Sequence, residues 1–250
     1  MNYRFEKGGL SGHSFGNLLL SALEKVTGSF DEAVERAGDI LRIRGRVIPA
    51  TLEKVKLVAH LKNGKVIRGQ YVISQSNISN LEKIVLEPNP KANPKAIEAI
   101  KEADLVVVGP GDLYTSLIPN FLISGIPQAL QKSRATKLYI CNLMTRLGHT
   151  EGFSVRDFNA TMEHYTKTKF DYIIYNNKRP NAALLKRYAR EGDALVPAVP
   201  GQAGKRFIGA DLISKKSVKR KKSDPLRRNL IRHNQERLAM VIVGILTRVS

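Results

Sequence analysis

Gly109-Pro110-Gly111-Asp112-Leu113-Tyr114-Thr115-Ser116 sets two glycines and two small hydroxyl side chains directly after the apolar run Leu105-Val106-Val107-Val108. Residues of these types at this spacing suit anion binding. Glycine lacks a Cβ and tolerates positive φ, so backbone amides at Gly109 and Gly111 can approach a phosphate closely, while Thr115 and Ser116 add donors near a helix start. A tight strand-to-helix turn that needs glycine for geometry alone reads the same way, and the loop by itself does not choose between the two.

Other polar side chains stand at the ends of apolar segments: His13, Asn17, Asn142, Asn176 and Asn177. Each could hydrogen-bond a ribose, amide or phosphate oxygen, and each could equally serve as an ordinary cap. His60, His149, His164 and His233 show no metal-like spacing with carboxylates, so no zinc site is expected. The chain has no Gly-x-Ser-x-Gly elbow, no Walker sequence and no Gly-x-Gly-x-x-Gly. No catalytic residue or metal ligand is assigned on these grounds.

The elements that must position these groups follow from hydrophobic patterning. Leu105 to Val108 has no polar alternation, which predicts a central parallel strand covered on both faces. Helices over Lys95–Ala103, Ile126–Lys132 and Val155–Tyr165 alternate with strands over Asp104–Gly109, Lys137–Asn142 and Asp171–Tyr175. Alternation of this kind implies an α/β fold with a mostly parallel sheet. The strand ends at Gly109, Asn142 and Asn176 then share one edge, where ligands of such sheets bind. Nearer the N-terminus, a mostly apolar helix, buried on most sides, runs from Leu18 to near Gly28, and Ser29 to Glu32 has the spacing to cap a second helix through Leu41. Val55–Leu61 and Val66–Ile73 flank Asn63-Gly64 and predict an inserted β-hairpin, with a further strand at Ile84–Leu86. A short strand is expected over Phe207–Leu212. A helix from Asp224 to Leu246 carries Leu230, Leu238, Val241, Ile242, Ile245 and Leu246 as a stripe that packs back on the sheet. The resulting division is an α/β domain over 1–213, a basic linker over 214–223 and a C-terminal helix over 224–250.

Composition narrows the function classes. With 250 residues and 42% hydrophobic content the chain can build a substantial core, which excludes disorder throughout. No stretch reaches the roughly 18 consecutive apolar residues of a membrane span, and Met1 to Leu20 lacks the pattern of a secretory leader, so a cytoplasmic location is expected. Cys141 is the only cysteine, which excludes an intrachain disulfide and predicts a buried, inert thiol. The formal charge is +19. Ten basic residues between Ser214 and Arg237, against Asp224 and Glu236, account for +8 and leave +11 elsewhere. Without interleaved aromatics this segment reads as a solubilising feature or weak polyanion contact over 214–237, with RNA binding as the alternative.

Leu10-Ser11-Gly12-His13-Ser14-Phe15-Gly16-Asn17-Leu18-Leu19-Leu20, then Gly109 to Asn120, then Cys141-Asn142-Leu143-Met144-Thr145 together resemble the gluconeogenesis factor (YvcK-like) family, related to 2-phospho-L-lactate transferase (CofD-like). The resemblance implies a Rossmann-like three-layer fold and a nucleotide-sugar ligand of the UDP-N-acetylglucosamine type. It further implies a regulator of carbon metabolism and cell shape rather than an enzyme. The transferase relatives instead move a phospholactyl group from a nucleotide-activated donor to a deazaflavin alcohol, and Mg would belong to that reading alone. By the resemblance, Gly12, His13, Asn17, Gly109, Gly111, Thr115, Ser116, Asn142 and Asn177 line or support the cleft.

The departures from the family pattern are specific. Gln70 stands where a glutamate commonly follows the glycine at Gly69, Asp112 replaces a serine, and Arg146-Leu147-Gly148-His149 replaces Gln-Pro-Gly-Glu. The family's first strand with its Gly-Gly-Gly-Thr-Gly loop, and the acidic Asp-Asp-Gly-Gly-Ser segment, have no counterpart in the sequence given. Relative to the family the chain therefore reads as N-terminally truncated, with a second copy or a complementary N-terminal fragment as the expected partner.

Overall fold

Ser14 accepts a hydrogen bond from the Asn17 amide at 3.2 Å and so opens helix α1 (Phe15–Thr27), which Gly28 ends in the left-handed region at φ 73°. Ser29 does the same for α2 (Phe30–Ile40) through the Glu32 amide. The structure, a computed structural model, describes Tyr3, Phe5 and residues 7–198, 204–214 and 231–249. Within it α1 packs on α2 as a helical hairpin. The expectation that α1 is buried on most sides is corrected: only Gly16 is buried, and Val26 is 83% exposed. A hairpin pair covers one stripe of a helix, whereas a sheet layer would cover more. Lys95 ties the hairpin to the rest of the fold by reaching Asp31 at 2.6 Å and Glu35 at 2.5 Å.

Strands β1 (Lys56–Leu61) and β2 (Val66–Arg68) join at Asn63-Gly64, where Gly64 takes φ 81° and the Asn63 side chain accepts from the Lys65 amide. The hairpin was expected to run on to Ile73. Instead Gly69 turns at φ 97° into helix α3 (Gln70–Gln75), which delivers Ile73 fully buried into the core. Strand β3 (Leu81–Glu87) pairs antiparallel with the other edge of β1, giving a three-stranded sheet in the order β2-β1-β3.

The second half forms the parallel sheet. In chain order it comprises α4 (Pro94–Glu102), β4 (Leu105–Val108), a π-helical turn (Leu113–Leu117), α5 (Ile118–Phe121), α6 (Ile126–Lys132), β5 (Thr136–Ile140), α7 (Val155–Thr166), β6 (Tyr172–Asn176), α8 (Ala182–Arg190), β7 (Phe207–Ala210) and α9 (Gln235–Val249). The four strands run parallel in the order β4-β5-β6-β7. Period-two alternation assigns Leu138, Ile140 and Ile174 to one face, where Leu238, Val241, Ile242 and Ile245 of α9 cover them. Tyr139, Cys141, Ile173 and Tyr175 face the other way, onto Phe158 and Met162 of α7. Helix, sheet and helix thus form three layers, and the Rossmann-like α/β reading holds. The antiparallel sheet shares this second core through Leu57, Ala59, Leu61, Ile67 and Ile84.

Two further expectations are corrected. β4 is not central: among the described residues it is an edge strand, and Val107 is 40% exposed while Leu105, two residues earlier on the same face, packs against the cluster under α9. Four consecutive apolar residues fit an edge whose opposite face is buried, as Val108 is, just as well as a central strand. The last helix begins at Gln235, while the expected start at Asp224-Pro225, Leu230 and residues 215–223 of the basic linker lie outside the described residues. Helix α8 was not anticipated. Cys141 is fully buried, and burial pushes its thiol up to about 12, as an inert structural thiol requires. Among the described residues no helix is long and apolar enough to cross a membrane.

Candidate functional site

The carboxyl ends of β4, β5 and β6 bring Gly109, Asn142 and Asn177 to one edge of the parallel sheet. Neither Gly109 nor Gly111 adopts positive φ, so conformational freedom is not what these glycines supply. Gly111 is needed for packing, since a Cβ there would lie 3.0 Å from Leu117 Cδ2. At Gly109 a Cβ would meet nothing within 4 Å, which leaves the backbone open to a visiting group. Asn142 fixes the loop by donating from Nδ2 to Gly111 O at 2.8 Å, while its Oδ1 is buried with no partner among the described residues.

Asp112 organises the rest of the loop. Its carboxylate accepts from the Thr115 amide at 3.1 Å and from Thr115 Oγ1 at 2.8 Å, capping the π-helical turn. The guanidinium of Arg146 donates to the other carboxylate oxygen and also to Ser74 O in α3, bolting the loop to that helix. Burial pushes the Asp112 carboxyl up, but the Thr115 hydrogen bond and the Arg146 charge outweigh it and hold the group below its ordinary value. The negative charge that a bound anion would bring to this turn is therefore built in. Thr115 is buried with its hydroxyl already committed, whereas Ser116 stays exposed.

Gly109, Gly111, Thr115, Ser116 and Asn142 come together, and Asn177 stands on the neighbouring strand end, exposed, with its side chain beside Gly209. Gly12, His13 and Asn17 stand on a separate exposed segment before and within α1, where Gly12 N–H donates to Phe5 O and His13 N–H to Leu10 O. Asn176 is a structural cap, accepting from the Leu212 amide and donating to Lys178 O. Sequence reasoning assigned no role to Asp112 or Arg146. The Asp-x-x-Thr spacing was a readable capping signal, but a pair 34 residues apart has no local signature.

Replacing Asp112 with alanine leaves the Thr115 donors without an acceptor and the half-buried Arg146 guanidinium with Ser74 O alone. A loss of about 2 kcal/mol is expected, read as a lowered urea midpoint at unchanged slope. The carboxylate's commitments bear also on a divalent metal, because Asp112 is already spent on Thr115 and Arg146. Among the described residues no group of three or more His, Cys, Asp and Glu side chains converges. These residues do not fit a magnesium site at this loop.

The family model for 2-phospho-L-lactate transferase CofD matches residues 1–214. The chain belongs to the CofD family. Within that family the "Gluconeogenesis factor" of Halalkalibacterium halodurans is 33% identical over 251 residues, covering 99% of this chain and 75% of the relative. An Aquifex aeolicus relative is 39% identical over 251 residues, covering 98% of this chain and 73% of its own. A Nostoc relative is 38% identical over 247 residues, but this chain spans 52% of its length. The crystal structure of a UPF0052 family protein from Bacillus halodurans superposes with a TM-score of 0.85 at 30% identity, covering 97% of this chain and 75% of that one. The resemblance to the gluconeogenesis factor family, related to CofD, read from the motifs at residues 10–20, 109–120 and 141–145 is borne out.

Proposed function

We propose that this chain is a cytoplasmic gluconeogenesis-factor-type regulator of carbon metabolism and cell shape that binds a nucleotide-sugar of the UDP-N-acetylglucosamine type. The observation that carries the reading is the open backbone at Gly109 beside the unpartnered Asn142 Oδ1, at the carboxyl edge of a parallel sheet. Amides of the Gly109–Gly111 segment and the Ser116 hydroxyl are offered to the phosphates, and Asn142 Oδ1 accepts from a ligand N–H or O–H. The capped turn at Asp112 steers the phosphates toward Gly109 and away from Thr115. Asn177 extends the cleft in this reading, while Gly12, His13 and Asn17 stand apart from it on their own segment.

Calorimetric titration with UDP-N-acetylglucosamine tests it. Saturable heat is expected for the parent protein, with Gly109→Val weakening binding at least about tenfold while leaving Tm unchanged, because the added side chain has open space. Absence of both heat and thermal stabilisation at millimolar ligand would sink the reading. A second reading concerns assembly. The exposed Val107 on edge strand β4 favours pairing with a second copy or with a complementary strand.

A further inference from the structure

A groove of about 380 Å³ lies between the start of β3 and helix α7, away from the Gly109 backbone. Its lining is mixed, with apolar Ile78 and Leu81, polar Glu82 and His164, and the aromatic rings of Tyr114 and Tyr165. The volume is that of a small-molecule site.

Three of its lining side chains carry a polar atom with no hydrogen-bond partner among the described residues. The hydroxyls of Tyr114 and Tyr165 have no hydrogen bond among the described residues. Burial pushes the Tyr114 phenol up to about 12 and raises that of Tyr165 as well, so both remain protonated donors. His149 is 6% exposed, and its Nε2 lies 3.0 Å from Ser76 O, which assigns the ring proton to Nε2. Its Nδ1 lone pair is buried without a partner among the described residues. Burial, then the Arg146 charge, lowers the His149 pKa and keeps the ring neutral.

We propose that this groove binds a neutral nucleobase or nucleoside. A base has the flat body that aromatic walls accept, and its edge carries the acceptors that two phenols want together with the donor that an imidazole nitrogen wants. A phosphorylated ligand is disfavoured, since among the described residues no lysine or arginine lines the groove and Glu82 does. The site also touches the loop described above from behind. Tyr114 lies within the π-helical turn, one residue from Thr115, so an occupant of the groove bears on the turn that Asp112 caps.

Titration of uridine, adenosine and uridine monophosphate into protein carrying 13C-labelled tyrosine tests the proposal by NMR. Tyr114→Phe and Tyr165→Phe identify the two resonances by their disappearance. Nucleoside is expected to shift those resonances saturably at millimolar concentration, and the monophosphate to bind at least about fivefold more weakly. Tyr165→Phe, which keeps the ring, is expected to weaken binding about fivefold through loss of one hydrogen bond. Thr161→Trp, which fills the groove from a half-buried position on α7, is expected to abolish it. No shift with any nucleoside, unaltered shifts in folded Thr161→Trp, or equal binding of the monophosphate would each overturn the proposal. Gly109→Val scores the nucleotide-sugar cleft separately, so either reading can fail without the other.

Discussion

Phe158→Ala is expected to lower stability by about 3–5 kcal/mol, the largest effect of any single substitution considered for this chain. Phe158 is fully buried on α7, stacks edge-on against Phe153 with ring centroids 5.4 Å apart, and joins the core that both sheets share. Truncation removes an aromatic ring from a site walled by Tyr139, Val155 and Met162, none of which has exposed surface through which it could collapse inward. Urea denaturation at neutral pH measures it. A loss below about 1.5 kcal/mol would mean that the core relaxes around the cavity and that α7 is not held as described.

Acidification from pH 6.5 to pH 4 is expected to lower stability by about 3 kcal/mol through His233 alone. His233 follows Ile231 in a short segment that pairs with the residues after β7, where it bridges Ile213 and the neighbouring Asn234 amide donates to Leu212 O at 2.7 Å. Burial lowers its pKa from 6.5 to about 4, against the opposing pull of a hydrogen bond with the Cys141 backbone. The folded state resists a proton that the unfolded chain accepts at pH 6.5. Stability from this group is therefore complete above pH 6.5, declines as pH falls toward 4, and changes no further below. His149, lowered by burial and by Arg146, acts in the same direction. Urea midpoints at pH 7, 5.5 and 4.5 should show this slope in the parent and a shallower one in His233→Phe, which keeps a ring but cannot titrate. Equal slopes in the two proteins would rule out His233 as the source.

Much of the fold was legible because its signals are local. Ser14, Ser29, Gly28 and Asn63-Gly64 do what their residue types predict, and the strand-helix alternation after Pro94 gives the parallel sheet directly. What escaped depends on tertiary context. The run Leu105–Val108 reads the same whether one face or both are covered, so the edge position of β4 could not be told from hydrophobicity. Ile73 continues an apolar pattern, and only the left-handed φ at Gly69 converts that stretch into α3. At the loop, Gly109, Gly111 and Asn142 stand out by residue type; of the two properties that single out the glycines, positive φ is not used, while the missing Cβ leaves open space at Gly109 and room for Leu117 at Gly111. Asp112 and Arg146 escaped because their partnership spans two loops.

The core common to both sheets also fixes the smallest piece of this chain that can fold. Leu57, Ala59 and Ile84 from the antiparallel strands pack in the same cluster as Tyr139 and Ile173 from the parallel ones, and Arg146 spans the seam between them. Excising 56–87 would strip one wall from that cluster and leave Arg146 without its Ser74 acceptor. The two sheets are therefore expected to melt in a single cooperative step, with the antiparallel strands half of one folding unit and not a module that could be grafted elsewhere.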